Sequence, residues 1–299
     1  MNKGIALSPS RLTCASFELA TYPFPMAELP MSTAAVAAVI AEPIPRAAIL
    51  TAWWNQLAAG RCAPDDLLDA MALFGTHQVT TFGGEQVGLI IGLSDVRRGR
   101  DPELGARVVL PVPGDPTGLP GPPQLNMNAI DAGQAIVLDP PKAPTYAAGP
   151  SGTHRADAAT AVMLVPTIRE GLTTWTVVHS HEPRTVDIPI RPEQASTAIR
   201  GAVHTATATL AALDLGTGRE LVRDSLESLD KRLSTVVLPP TLAGVDRHTA
   251  LSSARVLGIV TIATTAALAV GLPDPKVALV LNELGVTARR CLAAACSSR

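Results

Sequence analysis

Two histidines carry the sharpest chemical signal in the chain. His179 and His181 stand two residues apart, followed by Glu182 and Pro183. On a β-strand, residues i and i+2 point to one face, so both imidazoles would reach one metal ion, with Glu182 or Asp187 near. A transition-metal site needs a further ligand from elsewhere, and His77, His154, His204 and His248 are the imidazoles available. Such a site would make the protein a metal-assisted hydrolase. The commoner meaning of the pattern is a solvent-facing strand end before Pro183, because no recognisable partner motif accompanies it.

Asp115 sits in a Gly/Pro-rich connector directly after an apolar run. Rigid turns of that kind can hold a carboxylate in place at an active-site loop, although a structural turn is their usual role. Asp131, two residues before Gly133, reads as a cap or turn residue rather than a base. The other nucleophiles lack companions. Ser151 and His154 share a loop with no orienting acid nearby, and the sequence has no nucleophile elbow and no HExxH zinc motif. It also has no P-loop and no Rossmann glycine fingerprint. Cys14, Cys62, Cys291 and Cys296 form no CxxC, and the five-residue step from Cys291 to Cys296 suits one metal poorly on a helix. They read as reduced thiols of a cytoplasmic protein. No cofactor is implied.

Binding surfaces are as sparse. Arg97, Arg98, Arg100 and Arg107 form the one basic cluster, without interleaved aromatics, so it does not resemble a stacking platform for nucleic acid. Trp53 and Trp54 are candidate anchors for a protein partner, since tryptophan is enriched at binding hot spots. On an amphipathic helix only one of two adjacent residues can be central to the core, so one of the pair should lie at the margin, partly exposed.

The elements that would position these residues follow from spacing. Ile49, Trp53 and Leu57, widened by Leu50 and Trp54, predict a helix over 46–59. Pro64, Asp65 and Asp66 open a second helix that Gly75 closes. Residues 77–82 and 85–91 flank Gly83-Gly84 as a β-hairpin. Strands are predicted over 106–112 and 134–138, separated by the rigid connector 113–123. A second hairpin runs through 160–167 and 172–178, and 186–190 is a candidate edge strand. From Pro192 the chain turns helical. Ala195, Ile199, Ala206 and Leu210 stripe one helix, Val222, Leu226, Leu229 and Leu233 another, and a last helix runs from Pro275 to about Ala295.

The 299 residues are 47% apolar, with 24 Lys+Arg against 26 Asp+Glu. That apolar fraction excludes a disordered chain, and the near-zero charge excludes a protein held on nucleic acid by phosphate contacts. Residues 1–199 carry net −5 and residues 200–299 net +3, a difference compatible with ordinary surfaces. No secretory signal is evident. Residues 1–30, interrupted by Pro23, Pro25 and Pro30, read as a tail or start-site artefact ahead of Met31. Residues 256–272 hold seventeen residues without a charge, against the roughly 20 that a membrane helix usually needs. They read as a buried core helix, with membrane association as the rival reading. The organisation expected is α+β: a region 31–190 built on an antiparallel or mixed sheet with an N-terminal helical hairpin, then a helical region 191–299, either separate or packed on the same core.

The run ARVVLPVPGDPTGLPGPP, followed by NAIDAGQAIVL, resembles uncharacterised actinobacterial proteins over roughly residues 106–138. The resemblance implies no activity and no catalytic residue. The function expected is therefore that of a non-catalytic intracellular protein that binds a protein partner or associates with itself. The metal-assisted hydrolase and the membrane-associated protein stand as alternatives.

Overall fold

A computed structural model of the chain describes residues 33–98, 105–138, 161–180, 190–211, 219–270 and 274–299. Residues 1–32, His154, His181 and residues 186–189 of the candidate edge strand lie outside the described residues.

The structure is α+β, with a six-stranded mixed sheet. Its strands are β1 (Thr76–Thr80), β2 (Gln86–Gly88), β3 (Ala106–Val109), β4 (Ala135–Leu138), β5 (Ala161–Arg169) and β6 (Leu172–Ser180). They lie in the order β2-β1-β6-β5-β4-β3. All neighbours are antiparallel except β1 and β6, which run parallel. The β5–β6 hairpin turns where expected, on Glu170 and Gly171, with φ of 43° and 80°. Two successive positive φ values are what a tight hairpin matching strand twist requires. All four residues of β4 are buried, which is why AIVL reads as an unbroken apolar run rather than an alternation.

One face of the sheet carries the main core. Val79, Ile136, Leu164 and Trp175 pack there against α2 (Arg46–Ala58) and α3 (Pro64–Ala72). Eleven of the thirteen residues of α2 are buried. Both Trp53 and Trp54 are inside, at 4% and 3% exposure, and the Trp53 indole donates to the Val237 carbonyl at 3.1 Å. The exposed margin expected for one of them is thus corrected: α2 is enclosed on both sides, so both rings are used within the fold. The opposite face of the sheet holds a smaller core, with Met163, Val137 and Val165 under α5 (Pro123–Ala132).

Two elements differ from the sequence expectation. Residues 89–91, read as the end of a hairpin strand, begin α4 (Leu89–Arg97). A four-residue apolar run cannot distinguish strand from helix by periodicity, and here Leu89 and Leu93 share the buried face. Helix α5 falls in a stretch assigned to neither element, with Pro123 in its first turn and Gly133 as its left-handed cap at φ 66°. Asp131, read as a cap or turn residue, lies in the last turn of this helix, two residues before that cap.

Helix α4 approaches β1 so closely that a Cβ on Gly92 would stand 2.3 Å from the Val79 Cβ. Gly201, mid-helix in α6 (Pro192–Ala211), has open space around it. The same Gly→Ala change should then have opposite signs. Gly201→Ala should stabilise by about 0.5–1 kcal/mol, as removal of a helix glycine does. Gly92→Ala should destabilise by about 1–3 kcal/mol through overpacking. Urea unfolding of the two variants checks this, and equal effects would contradict the close approach.

The C-terminal helices are α6, α7 (Arg219–Leu233), α8 (Gly244–Val270) and α9 (Pro275–Cys296). Helices α8 and α9 share the main core with the sheet, since Ala250, Ala254 and Leu292 cluster with Trp53 and Ile136, while Ala195 and Ile199 of α6 pack in a separate cluster with Ala288 and Cys291 of α9. A short α1 (Thr33–Ala41) packs against α7 and α8. Among the described residues one helix, over Gly244–Leu268, is long and apolar enough to cross a membrane. The expectation that 256–272 is a buried core helix is corrected over its described part, 256–270: Ile262 is buried, but Ile259 and Leu268 are 38% and 41% exposed.

Candidate functional site

A convergence of polar side chains lies where the sheet ends. β3 is an edge strand, and an edge exposes unpaired backbone groups. Side chains cover this one. The Asn55 amide on α2 accepts from the Ala106 N–H and donates to the Ala106 carbonyl, both at 2.9 Å, and donates to the Ser297 carbonyl at 3.2 Å. The Val108 N–H donates to the Ser297 hydroxyl at 3.0 Å. The end of α9 is thus tied to the outer rim of β3, and a cleft of about 740 Å³ opens between them.

Arg107 on β3 lines this cleft, its guanidinium donating to the Gly118 carbonyl at 2.6 Å. The connector after β3 folds back through a bridge between Val112 and Asp115, whose backbone groups bond reciprocally at 2.9 and 3.3 Å. Gly114 supplies the positive φ, 85°, that this tight reversal needs. The turn presents Asp115 to α9. There Arg290 donates to both carboxylate oxygens at 3.3 and 3.5 Å, and the Thr117 hydroxyl donates to the same carboxylate. Burial alone would raise the Asp115 carboxyl, but the Thr117 bonds and the Arg290 guanidinium outweigh it and hold it below the usual carboxylate range. Arg289 stands beside them, and burial, with the like charge of Arg290, lowers its affinity for a proton while Asp115 opposes that effect. Val109, Leu110, Ile190, Val245, Ala293 and Ala294 make the apolar wall.

Of the residues singled out in the sequence, the structure places Asp115 and Arg107 in this cleft. It places His179 on β6, with its ring 4.6 Å from that of Phe82. His77 is committed elsewhere: Nε2 donates to the Met71 carbonyl at 3.0 Å, and Nδ1 accepts from the Trp175 indole at 3.2 Å. His204 and His248 line a separate groove between α6 and α8. Among the described residues no three His, Cys, Asp or Glu side chains gather as a metal site. The thiols of Cys291 and Cys296 are pushed up by burial to about 11 and about 12, which keeps both protonated and inert at neutral pH.

Sequence reasoning missed Arg289, Arg290, Asn55 and Ser297. The first pair did leave a signal. Two adjacent arginines interrupt a helix whose neighbours Ala288, Cys291 and Leu292 are fully buried. Charge at such a place needs a partner or a cavity.

A mixed sheet with a helical layer at its edge and an arginine-lined cleft between the two defines the class of structure. The chain belongs to the Rv1486c-like protein family: that family's N-terminal domain matches residues 47–188 and its C-terminal domain residues 193–293. It is 31% identical over 203 residues to the uncharacterized protein Rv1486c of Mycobacterium tuberculosis strain H37Rv, covering 60% of this chain and 70% of that one. The uncharacterized protein MT1533 of strain CDC 1551 of the same species matches equally. These relatives agree with the actinobacterial resemblance read at residues 106–138. No solved structure matches.

Proposed function

We propose that this chain is a non-catalytic binding protein whose cleft between β3 and α9 holds a small ligand. The observation that carries the reading is the convergence of Asp115, Arg289 and Arg290 from two separate elements on one wall of a cleft of about 740 Å³ with an apolar remainder. Small-molecule sites are cavities of roughly 300–1,000 Å³, mostly apolar, with a few placed polar groups.

The residues support binding rather than bond cleavage. The described lining contains neither His nor Cys. Its hydroxyls are engaged: Ser297 donates to the Ala293 carbonyl at 2.6 Å, Ser298 to the Ala295 carbonyl at 3.1 Å, and Thr117 to Asp115. Asp115 is ionised and paired, so it is poorly matched to general acid–base work near neutrality. A thermal-shift screen of small molecules tests the reading. A ligand at 100 times its Kd should stabilise by about 2.7 kcal/mol. Stabilisation that persists after the cleft is filled by Ala293→Trp would contradict the assignment.

Self-association is a second reading, favoured by the α6–α8 groove, where Val203 and Ile259 are each 38% exposed. Light scattering decides it: a dimer that Ile259→Glu dissociates supports it, and a strict monomer rejects it.

A further inference from the structure

Resting on the reading of the β3–α9 cleft as a ligand site, we propose that the cleft takes a monoanionic carboxylate on an apolar body, with the carboxylate seated between Arg289 and Arg290. Arg290 uses one terminal nitrogen for both Asp115 oxygens, at 3.3 and 3.5 Å, longer than the 2.7–2.9 Å of a strong charge-assisted bond. Its Nε is buried with no hydrogen-bond partner, so half of its fork is unused. An orphaned buried donor of this kind is costly until something accepts from it. Arg289 makes no hydrogen bond or ion pair with any described residue, although burial bears on it.

The local charge selects the ligand. The charged side chains that line the cleft are Arg107, Arg289, Arg290 and Arg299 against Asp115, Glu193 and Asp246, which leaves a single positive charge that a carboxylate neutralises. A phosphate monoester would bring a second negative charge to face Asp115. Guanidinium forks match a planar carboxylate in a bidentate manner, so the recognition is geometric as well as electrostatic. The apolar body of the ligand would lie on Val109, Leu110, Ile190 and Ala293.

Calorimetric titration of the full chain with benzyl alcohol, benzoate and phenyl phosphate tests this at pH 7 and low salt. Benzoate should bind at least tenfold more tightly than either of the others. Arg289→Ala should raise the benzoate Kd at least tenfold, leave benzyl alcohol unchanged, and retain the wild-type melting midpoint. If Arg289→Ala does not fold, Arg289→Lys keeps the charge, loses the fork and should still weaken benzoate severalfold. Arg98→Ala, at an exposed site paired with Asp95, should change nothing. Benzyl alcohol binding as tightly as benzoate, or phenyl phosphate binding more tightly, would overturn the carboxylate assignment while leaving the cleft a ligand site. Failure of all three probes to bind would overturn the binding-protein reading itself.

Discussion

Trp175→Ala is expected to lower the free energy of unfolding by about 3–5 kcal/mol, the range for removing a large aromatic from a packed core. Trp175 is fully buried on β6. It pairs with Val79 on β1 and with Pro166 on β5, so its ring joins the parallel and antiparallel parts of the sheet. It also supplies the indole N–H accepted by His77 Nδ1. Trp175→Phe separates the two contributions, because it keeps most of the volume and removes the donor. The pH dependence follows the same pair. Burial lowers the His77 pKa from 6.5, with Arg46 nearby acting in the same direction and the bond to the Met71 carbonyl opposing it. The unfolded chain therefore takes up the proton first. Stability should be full above pH 6.5 and fall as pH drops through the folded-state value. In Trp175→Phe the His77 value should move back up and that loss should shrink. Urea titrations at pH 7.5 and 5.5, with histidine chemical shifts, would show it. An unchanged slope of stability with pH in Trp175→Phe would contradict the pairing.

Asn55→Ala should be nearly as severe. The Asn55 side chain makes three hydrogen bonds at 2.9–3.2 Å, two of them to the backbone of Ala106 on the sheet edge. Truncation leaves a donor and an acceptor buried without partners, at about 1–3 kcal/mol each. A loss of about 3 kcal/mol is expected. The change should also weaken ligand binding in the β3–α9 cleft, because Asn55 and Ser297 together hold β3 against the end of α9. Asn55→Asp should not rescue it, since the carboxylate loses both donated bonds and buries a charge. Denaturant midpoints at constant m give the first effect and calorimetry the second. A loss under 1 kcal/mol would mean that the edge is held by other contacts.

The helices α2, α3, α6, α7 and α9 were legible because each repeats apolar residues at helical spacing and has a proline or acidic start. The β5–β6 hairpin was legible because Gly171 marks its turn. Helix α4 was not, since LIIG after a hairpin turn has no period of its own and its conformation is set by Gly92 packing on Val79. The cleft was legible only in part. Asp115 stood out because five prolines and three glycines in residues 113–123 must make a rigid loop. Its partners lie 174 and 175 positions further along the chain, and nothing in local spacing connects Asp115 to Arg289 and Arg290. The same holds for Asn55, which reads as one polar residue in a helix until β3 is placed beside it. Trp53 and Trp54 were misread as a margin because a helix enclosed on two sides has none.

Ligand binding in the cleft depends most on Arg289 and Arg290. The guanidinium Nε–H resonances of the protein, recorded while benzoate is added, test this directly. Saturable shifts of the Arg289 and Arg290 signals are expected, with Arg98 and Arg255 still. Saturation with those two signals unmoved, or shifts spread evenly over all arginines, would contradict it.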